Sequence, residues 1–491
     1  MNHTTTKRLW LMALAMTVLL PLSGTAWADV KIDAANFPDA GFRQWVKEEA
    51  AGGKDVLTDA QIAAVVEMEF GSREISSLKG LERFTALKAL NCSWNELTEL
   101  DLSRNPALEK VECNGNKLTK LDLSGNERLT ELRCNQNKLT KLDLSHAPAL
   151  KLLDCEDNEL TELDLSRKPD LTELVCSENK LAKLDLSENI ALKLLACNEN
   201  GLTALDLSHN PALDVLYCSG NKLTTLDLTR NPALTDLDCG GNGLTELDLS
   251  KNAALEKLYC VDNGLTVLDL SRNPALNDLY CAENKLTVLD LTRNPALIEL
   301  NCDKNGLTEL DLSKNAALVT LTCEGNGLSE LDLSHNPKLE SLDCSENKLT
   351  KLDLSRNTAL NMLFCAKNPI REFDLSKHEE LGMAAFPAAA QVSLPNGDRI
   401  AADDFQLRKT AEGRYRLDLS KYAGKIKEVE VSDDDADDYV EVTSSGGIYT
   451  FAPCDGRCTI SYKLGERDGE DWLLTLPLDV AKDTSSAPLA E

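Results

Sequence analysis

The chain has 491 residues, 42% hydrophobic and 27% charged, with 52 Lys and Arg against 81 Asp and Glu for a formal charge of −29. So acidic a surface repels phosphate backbones and anionic headgroups, which argues against nucleic acid as a partner and for cations or basic protein patches. The same charge also serves plain solubility.

The first element in chain order is a leader. Lys7 and Arg8 precede an apolar run from Leu9 to Leu22 and the small-residue pattern Ala26-Trp27-Ala28, which reads as an export signal over residues 1–28, cleaved before Asp29. No cysteine follows the run to take a lipid anchor, and no later stretch approaches the ~20 apolar residues of a membrane-spanning helix. The mature chain, with 50 basic residues against 81 acidic ones and a formal charge of −31, is expected to be secreted or held at the cell surface or in a periplasm, without membrane insertion.

Residues 29–64 have the grammar of a small helical cap. Asn36-Phe37-Pro38-Asp39 opens an amphipathic stretch carrying Phe42, Trp45 and Val46, and Thr58 with Gln61 forms a capping box that starts a second helix. The loop Gly52-Gly53-Lys54-Asp55 lacks the alternating acidic ligands and closing Glu of a calcium loop, so no metal is assigned to it.

A fixed period then takes over. From Leu87 to about Leu381 the pattern L-x-x-L-x-C-x-x-N-x-L-T-x-L-D-L-S-x-N-P-A recurs fourteen times at 21 residues, preceded by a degenerate copy with Val65, Met68, Phe70, Arg73 and Ile75 in the apolar and Asn slots. Apolar residues alternate twice per copy, at L-x-C and at L-D-L, which predicts two short strands per coil, each pairing in parallel with its own copy in the next coil. Fifteen coils at ~4.8 Å would give a rod on the order of 70 Å, cohering through inward leucines worth ~1.5–3 kcal/mol apiece when fully buried. Residues 65–381 therefore read as a mostly β solenoid.

Three ladders run through the repeat. Fourteen of the sixteen cysteines, from Cys92 to Cys365, occupy an apolar slot and read as buried free thiols, since stacked parallel Cβ vectors make poor disulfide geometry. Cys454 and Cys458, flanking Asp455-Gly456-Arg457, are the one disulfide candidate. An Asn in every full copy, from Asn95 to Asn368, is expected to satisfy backbone groups where the chain leaves the strand. An Asp in every copy, from Asp101 to Asp374, must offset mutual repulsion through nearby amides and hydroxyls, with calcium bridging as the alternative.

The run L-x-x-L-x-C-x-x-N-x-L, followed by L-T-x-L-D-L-S at a period of 21, resembles the leucine-rich repeats of bacterial internalin-like surface proteins. The resemblance implies a leucine-rich-repeat parallel β superhelix used for recognition. The doubled strand pattern and the lack of a cell-wall anchor depart from that family, so attachment to a Gram-positive wall is not implied.

Beyond Leu381 the pattern changes. Alternating segments Tyr415–Leu419, Lys427–Val431, Tyr449–Phe451 and Thr459–Leu464 predict a small immunoglobulin-like β-sandwich over 382–480, followed by a disordered tail over 481–491. Asp433, Asp434, Asp435, Asp437 and Asp438 make an acidic loop read as a solvated turn.

Function is sought where the repeat varies. The outward positions around each Cys change from coil to coil, and the scarce aromatics of the repeats, in a chain only 4% aromatic, concentrate there. Tyr217, Tyr259 and Tyr280, with Asp238 between them and Val215, Lys257, Val261 and Asp278 beside them, form the candidate partner-binding patch on the concave face. Aromatic pairs that merely stabilise a sheet are the competing reading. Trp94 is expected to pack on the N-terminal cap and Phe364 to meet the terminal domain. No catalytic constellation recurs: His146, His209 and His335 sit in a turn slot, and neither H-E-x-x-H nor G-x-S-x-G occurs. The chain is expected to be a monomeric binder of a protein partner, basic or on a host surface, with no enzyme activity, cofactor or metal. The alternative is a structural spacer or envelope component whose acidic faces hold cations.

Overall fold

The computed structural model describes residues 29–378 and 381–385, and between 391 and 479 ten strand segments, from Gln391–Ser393 to Glu470–Asp479. The chain enters through two short helices. Asp39 caps Ala40–Trp45 by accepting the Phe42 N–H at 2.9 Å, and Thr58 caps Asp59–Ala64 in a full capping box with Gln61. The apolar face of the first helix closes the end of the rod. Phe42 lies 5.6 Å and Trp45 5.7 Å from Phe70, ring centre to ring centre, and Phe70 fills the cysteine slot of the degenerate copy. Its unit of 22 residues is visible in the register, where Met68 pairs with Leu90.

From Glu67–Glu69 and Ala89–Asn91 through Met362–Phe364 to Met383–Ala385, one short strand per coil joins a single parallel sheet. Each strand has its middle apolar residue inward, Leu or Val in all but the first and last, and its flanking residues outward, as in Leu216 between Val215 and Tyr217. The next residue is the buried Cys, whose N–H continues the ladder; Cys218 donates to the Asp238 carbonyl at 2.8 Å. All fourteen cysteines of the rod are buried, and burial pushes their thiols well above the ordinary range, Cys113 and Cys197 to about 12.

Two residues past each Cys the backbone turns through the left-handed region, at Gly in four copies and at polar residues in nearly all the rest. The Asn that follows holds the turn. Asn221 accepts the Leu202 N–H at 3.0 Å and donates to the carbonyls of Cys197 at 2.9 Å and Cys218 at 3.1 Å, so one amide stitches three backbone segments.

The second predicted strand needs correction. L-D-L is a paired strand only near the ends, where Glu99–Asp101 meets Lys120–Asp122 and Glu372–Asp374 meets Gln391–Ser393. In the intervening coils the segment stays extended but unpaired, keeping one inter-coil bond just before it, such as Lys180 N–H to the Leu160 carbonyl at 2.8 Å. In paired and unpaired coils alike, each Asp turns its carboxylate onto the N–H two residues on, as Asp206 does for Ser208 at 2.9 Å, and the extended segment ends there.

A further ladder lines the opposite side of the coil. The Asn of S-x-N-P, as in Asn231, is wholly buried and donates to two carbonyls of the preceding coil, those of Leu207 at 3.2 Å and Asn210 at 2.9 Å. Ala147, Lys168 and His378 replace it in three copies, and His378 keeps the contact, its Nε2 lying 3.1 Å from the Leu354 carbonyl.

Beyond the rod, Tyr415–Asp418 pairs antiparallel with Ile448–Phe451, and Glu428–Asp433 with Arg457–Arg467. Arg457–Arg467 pairs in turn with Glu470–Asp479, which touches the rod's sheet through Met383 and Thr475. The expected strands thus exist; their packing as a sandwich, the Cys454 end of the disulfide candidate, and Asp434, Asp435 and Asp437 lie outside the described residues.

Candidate recognition surface on the parallel sheet

The register of the sheet decides which outward residues are neighbours. Tyr217 pairs with Asp238, Asp238 with Tyr259, Tyr259 with Tyr280, and Tyr280 with Asn301. Tyr259 and Tyr280 stack, their ring centres 4.9 Å apart and their planes 28° from parallel. Tyr217 stands on the far side of Asp238, so the three tyrosines make a pair and an outlier.

The outer hydroxyls are tethered. Tyr217 donates to Asp236 Oδ2 at 3.0 Å, and Tyr280 donates to Glu299 Oε2. Both phenols are harder to ionise as a result: burial and the Asp236 bond push Tyr217 up to about 12, and the Glu299 bond and burial raise Tyr280. Partial burial also raises Asp236 and Asp278, while Lys257, with its ammonium 3.7 Å from Asp278 Oδ2, opposes the rise. The patch is thus a stacked aromatic centre rimmed by Asp236, Asp238, Asp278 and Glu299, with Lys257 the cation among them. Val215 and Val261 are half-buried beside it.

Sequence reasoning missed part of the apolar surface. Leu152 and Leu194, with Glu173 between them, occupy the same outward register as Val215, and Val175 and the largely buried Ala196 the same as Tyr217. They extend the patch three coils toward the N-terminus. The fixed spacing to Cys155 and Cys197 puts Leu153 and Leu195 in the inward slot, so the repeat itself marks Leu152 and Leu194 as outward, like Val215.

Other expectations resolve plainly. Trp94 does not pack on the cap: it is 56% exposed and lies over Gly115 of the next coil. The Asp ladder is engaged by Ser and Thr amides in all fourteen copies, from Ser103 to Ser376. Among the described residues no three His, Cys, Asp or Glu side chains converge to hold a metal ion, and no helix is long and apolar enough to cross a membrane.

The chain matches no protein-family model and no curated protein. Solved structures do resemble it. The functional domain of InlJ from Listeria monocytogenes, described as including a cysteine ladder, is 32% identical over 92% of this chain and 99% of its own, with a TM-score of 0.69. YopM from Yersinia enterocolitica is 28% identical over 72% of each chain at a TM-score of 0.59. An internalin, InlF, also from Listeria monocytogenes, shares the fold at 21% identity, covering 73% of this chain and 98% of its own at a TM-score of 0.55. With a leucine solenoid, an Asn seam and a ladder of buried cysteines all in place, the chain belongs to the internalin-like family of leucine-rich-repeat proteins.

Proposed function

We propose that the chain is an exported recognition protein that captures a protein partner on its concave sheet, acting in adhesion or host interaction at the cell surface or after release. Internalin-like solenoids are protein-interaction folds, which supports a protein partner in general terms. The observation that carries the reading is the stacked Tyr259–Tyr280 pair with a tethered outer hydroxyl, set in a sheet whose outward residues are otherwise mostly polar. Rigid aromatics lose little entropy on binding and bring large contact area. The apolar run from Leu152 to Tyr217 enlarges the anchor, and the acidic rim selects a partner with basic groups at its edge. The protein acts as a monomer and does no chemistry of its own.

The test is capture from candidate host and envelope extracts by the intact protein and by a variant with Tyr217, Tyr259 and Tyr280 replaced by Ala. Capture should be lost at nearly unchanged melting temperature and should weaken with added salt. Persistent capture by the variant, with a lowered melting temperature, would mean that the aromatics serve the sheet instead.

A further inference from the structure

One feature of the rod is unaccounted for by cohesion or by the tyrosine patch. The left-handed slot two residues past Cys is filled fourteen times, by Gly or by a polar or charged residue in every copy except one, where it holds Trp94 at φ 57°. That conformation favours Gly and gives an indole no packing advantage. Its ring lies across Gly115, where a Cβ would come within 2.4 Å of the benzo ring, and the indole stays 56% exposed.

Trp94 borders an open cleft of about 530 Å³ at the N-terminal end of the parallel sheet. Glu69, Asn91, Glu112 and Arg133 follow one another in register across four strands, a row of ~14 Å at ladder spacing. Arg73 and Asn114 complete the lining. Ser93 fixes two carboxamides, its N–H donating to Asn91 Oδ1 at 3.1 Å and its hydroxyl to Asn114 Oδ1 at 2.7 Å. Each Nδ2 is left without an acceptor among the described residues.

We propose that this cleft binds a short stretch of neutral glycan, with a pyranose ring lying on the indole of Trp94. Lys110 bridges Glu112 at 2.8 Å and Glu131 at 3.7 Å, so Glu69, Glu112 and Glu131 balance Arg73, Arg133 and Lys110 and neither an anion nor a cation is preferred. Hydroxyl groups donate and accept, which is what a row alternating carboxylate, carboxamide and guanidinium requires. An exposed flat indole gives the apolar C–H face of a sugar with equatorial hydroxyls a surface that water solvates poorly. The row is long enough for two or three sugar units. The site is separate from the tyrosine patch and does not depend on it.

The experiment is titration of the full-length protein with soluble cellotetraose and chitotetraose, read by saturation-transfer NMR and by the fluorescence of the exposed tryptophan. Trp94→Gly is the informative variant, because Gly fills the same slot in four other copies and suits its backbone. Saturable binding of at least one oligosaccharide, weakened about tenfold or more by Trp94→Gly and by Asn114→Ala but unchanged by Tyr259→Ala, is the expected result. Binding that survives Trp94→Gly, or no binding of either oligosaccharide to the parent protein, overturns the proposal.

Discussion

Replacing Asn221 by Ala in the middle of the rod should destabilise it more than any surface change. The side chain accepts one buried N–H, from Leu202 at 3.0 Å, and donates to two buried carbonyls, those of Cys197 at 2.9 Å and Cys218 at 3.1 Å. Truncation leaves all three without this partner in a place water does not reach. At roughly 1–3 kcal/mol for each buried group left unsatisfied, and less for a carbonyl than for an N–H, the loss should be about 3–5 kcal/mol. Asn221→Asp should be no better, because it keeps the acceptor for Leu202 but turns a carboxylate toward two carbonyls. Lys222→Ala, exposed and adjacent, should stay within about 0.5 kcal/mol of the parent. Because coils contact only their neighbours, the damage should also divide the rod, broadening the urea transition into two phases and speeding hydrogen exchange at the Leu202 amide. A variant that melts within about 0.5 kcal/mol of the parent in a single sharp transition, or an Asp variant as stable as the parent, would refute the account of the Asn seam.

Three further outcomes are expected. The fourteen rod thiols should be silent to a thiol reagent in the native protein and all react after denaturation without reductant, because burial both hides them and raises their pKa. Asp303, held at about 6 by burial against an ordinary 3.8, contributes stability that is full below pH 4 and lost as pH rises through 6. After discounting for its partial exposure that loss is ~1–2 kcal/mol. Asp303→Asn should therefore match the parent in acid and melt higher at neutral pH; equal melting curves at both would count against it. His378, whose pKa burial lowers from 6.5, favours the fold above that value and loses its contribution as pH falls below it. His378→Asn should keep the bond to Leu354 and flatten the loss of melting temperature between neutral and mildly acidic pH.

Much of this protein was legible because its repeat is strict. A slot that is Cys fourteen times, next to a Leu and three residues before an Asn, can be solved once and copied, and the inward leucines, buried thiols, Asn seam and Asp turns all follow. The cap was equally legible, since Thr58 with Gln61 is a local device. Errors arose where local pattern and inter-coil spacing part company. L-D-L alternates like a strand, but an alternating segment becomes a paired strand only if its copy lies one ladder spacing away, and that holds only at the two ends of the rod. Trp94 looked like a residue for the cap because an exposed indole is costly, whereas the turn at its own position points it along the rod over Gly115.

Sequence alone thus determined the period, the residues that face inward and the chemistry of each ladder, because those depend on contacts repeated at fixed separations along the chain. Only the tertiary structure decided what the outward side chains touch: the stacking of Tyr259 on Tyr280, the tethers of Tyr217 to Asp236 and of Tyr280 to Glu299, and the lie of the Trp94 indole over Gly115. The physical reason is that the period fixes which positions are neighbours, whereas the rotamers and partners of outward side chains depend on the particular residues of adjacent coils, which the repeat leaves free.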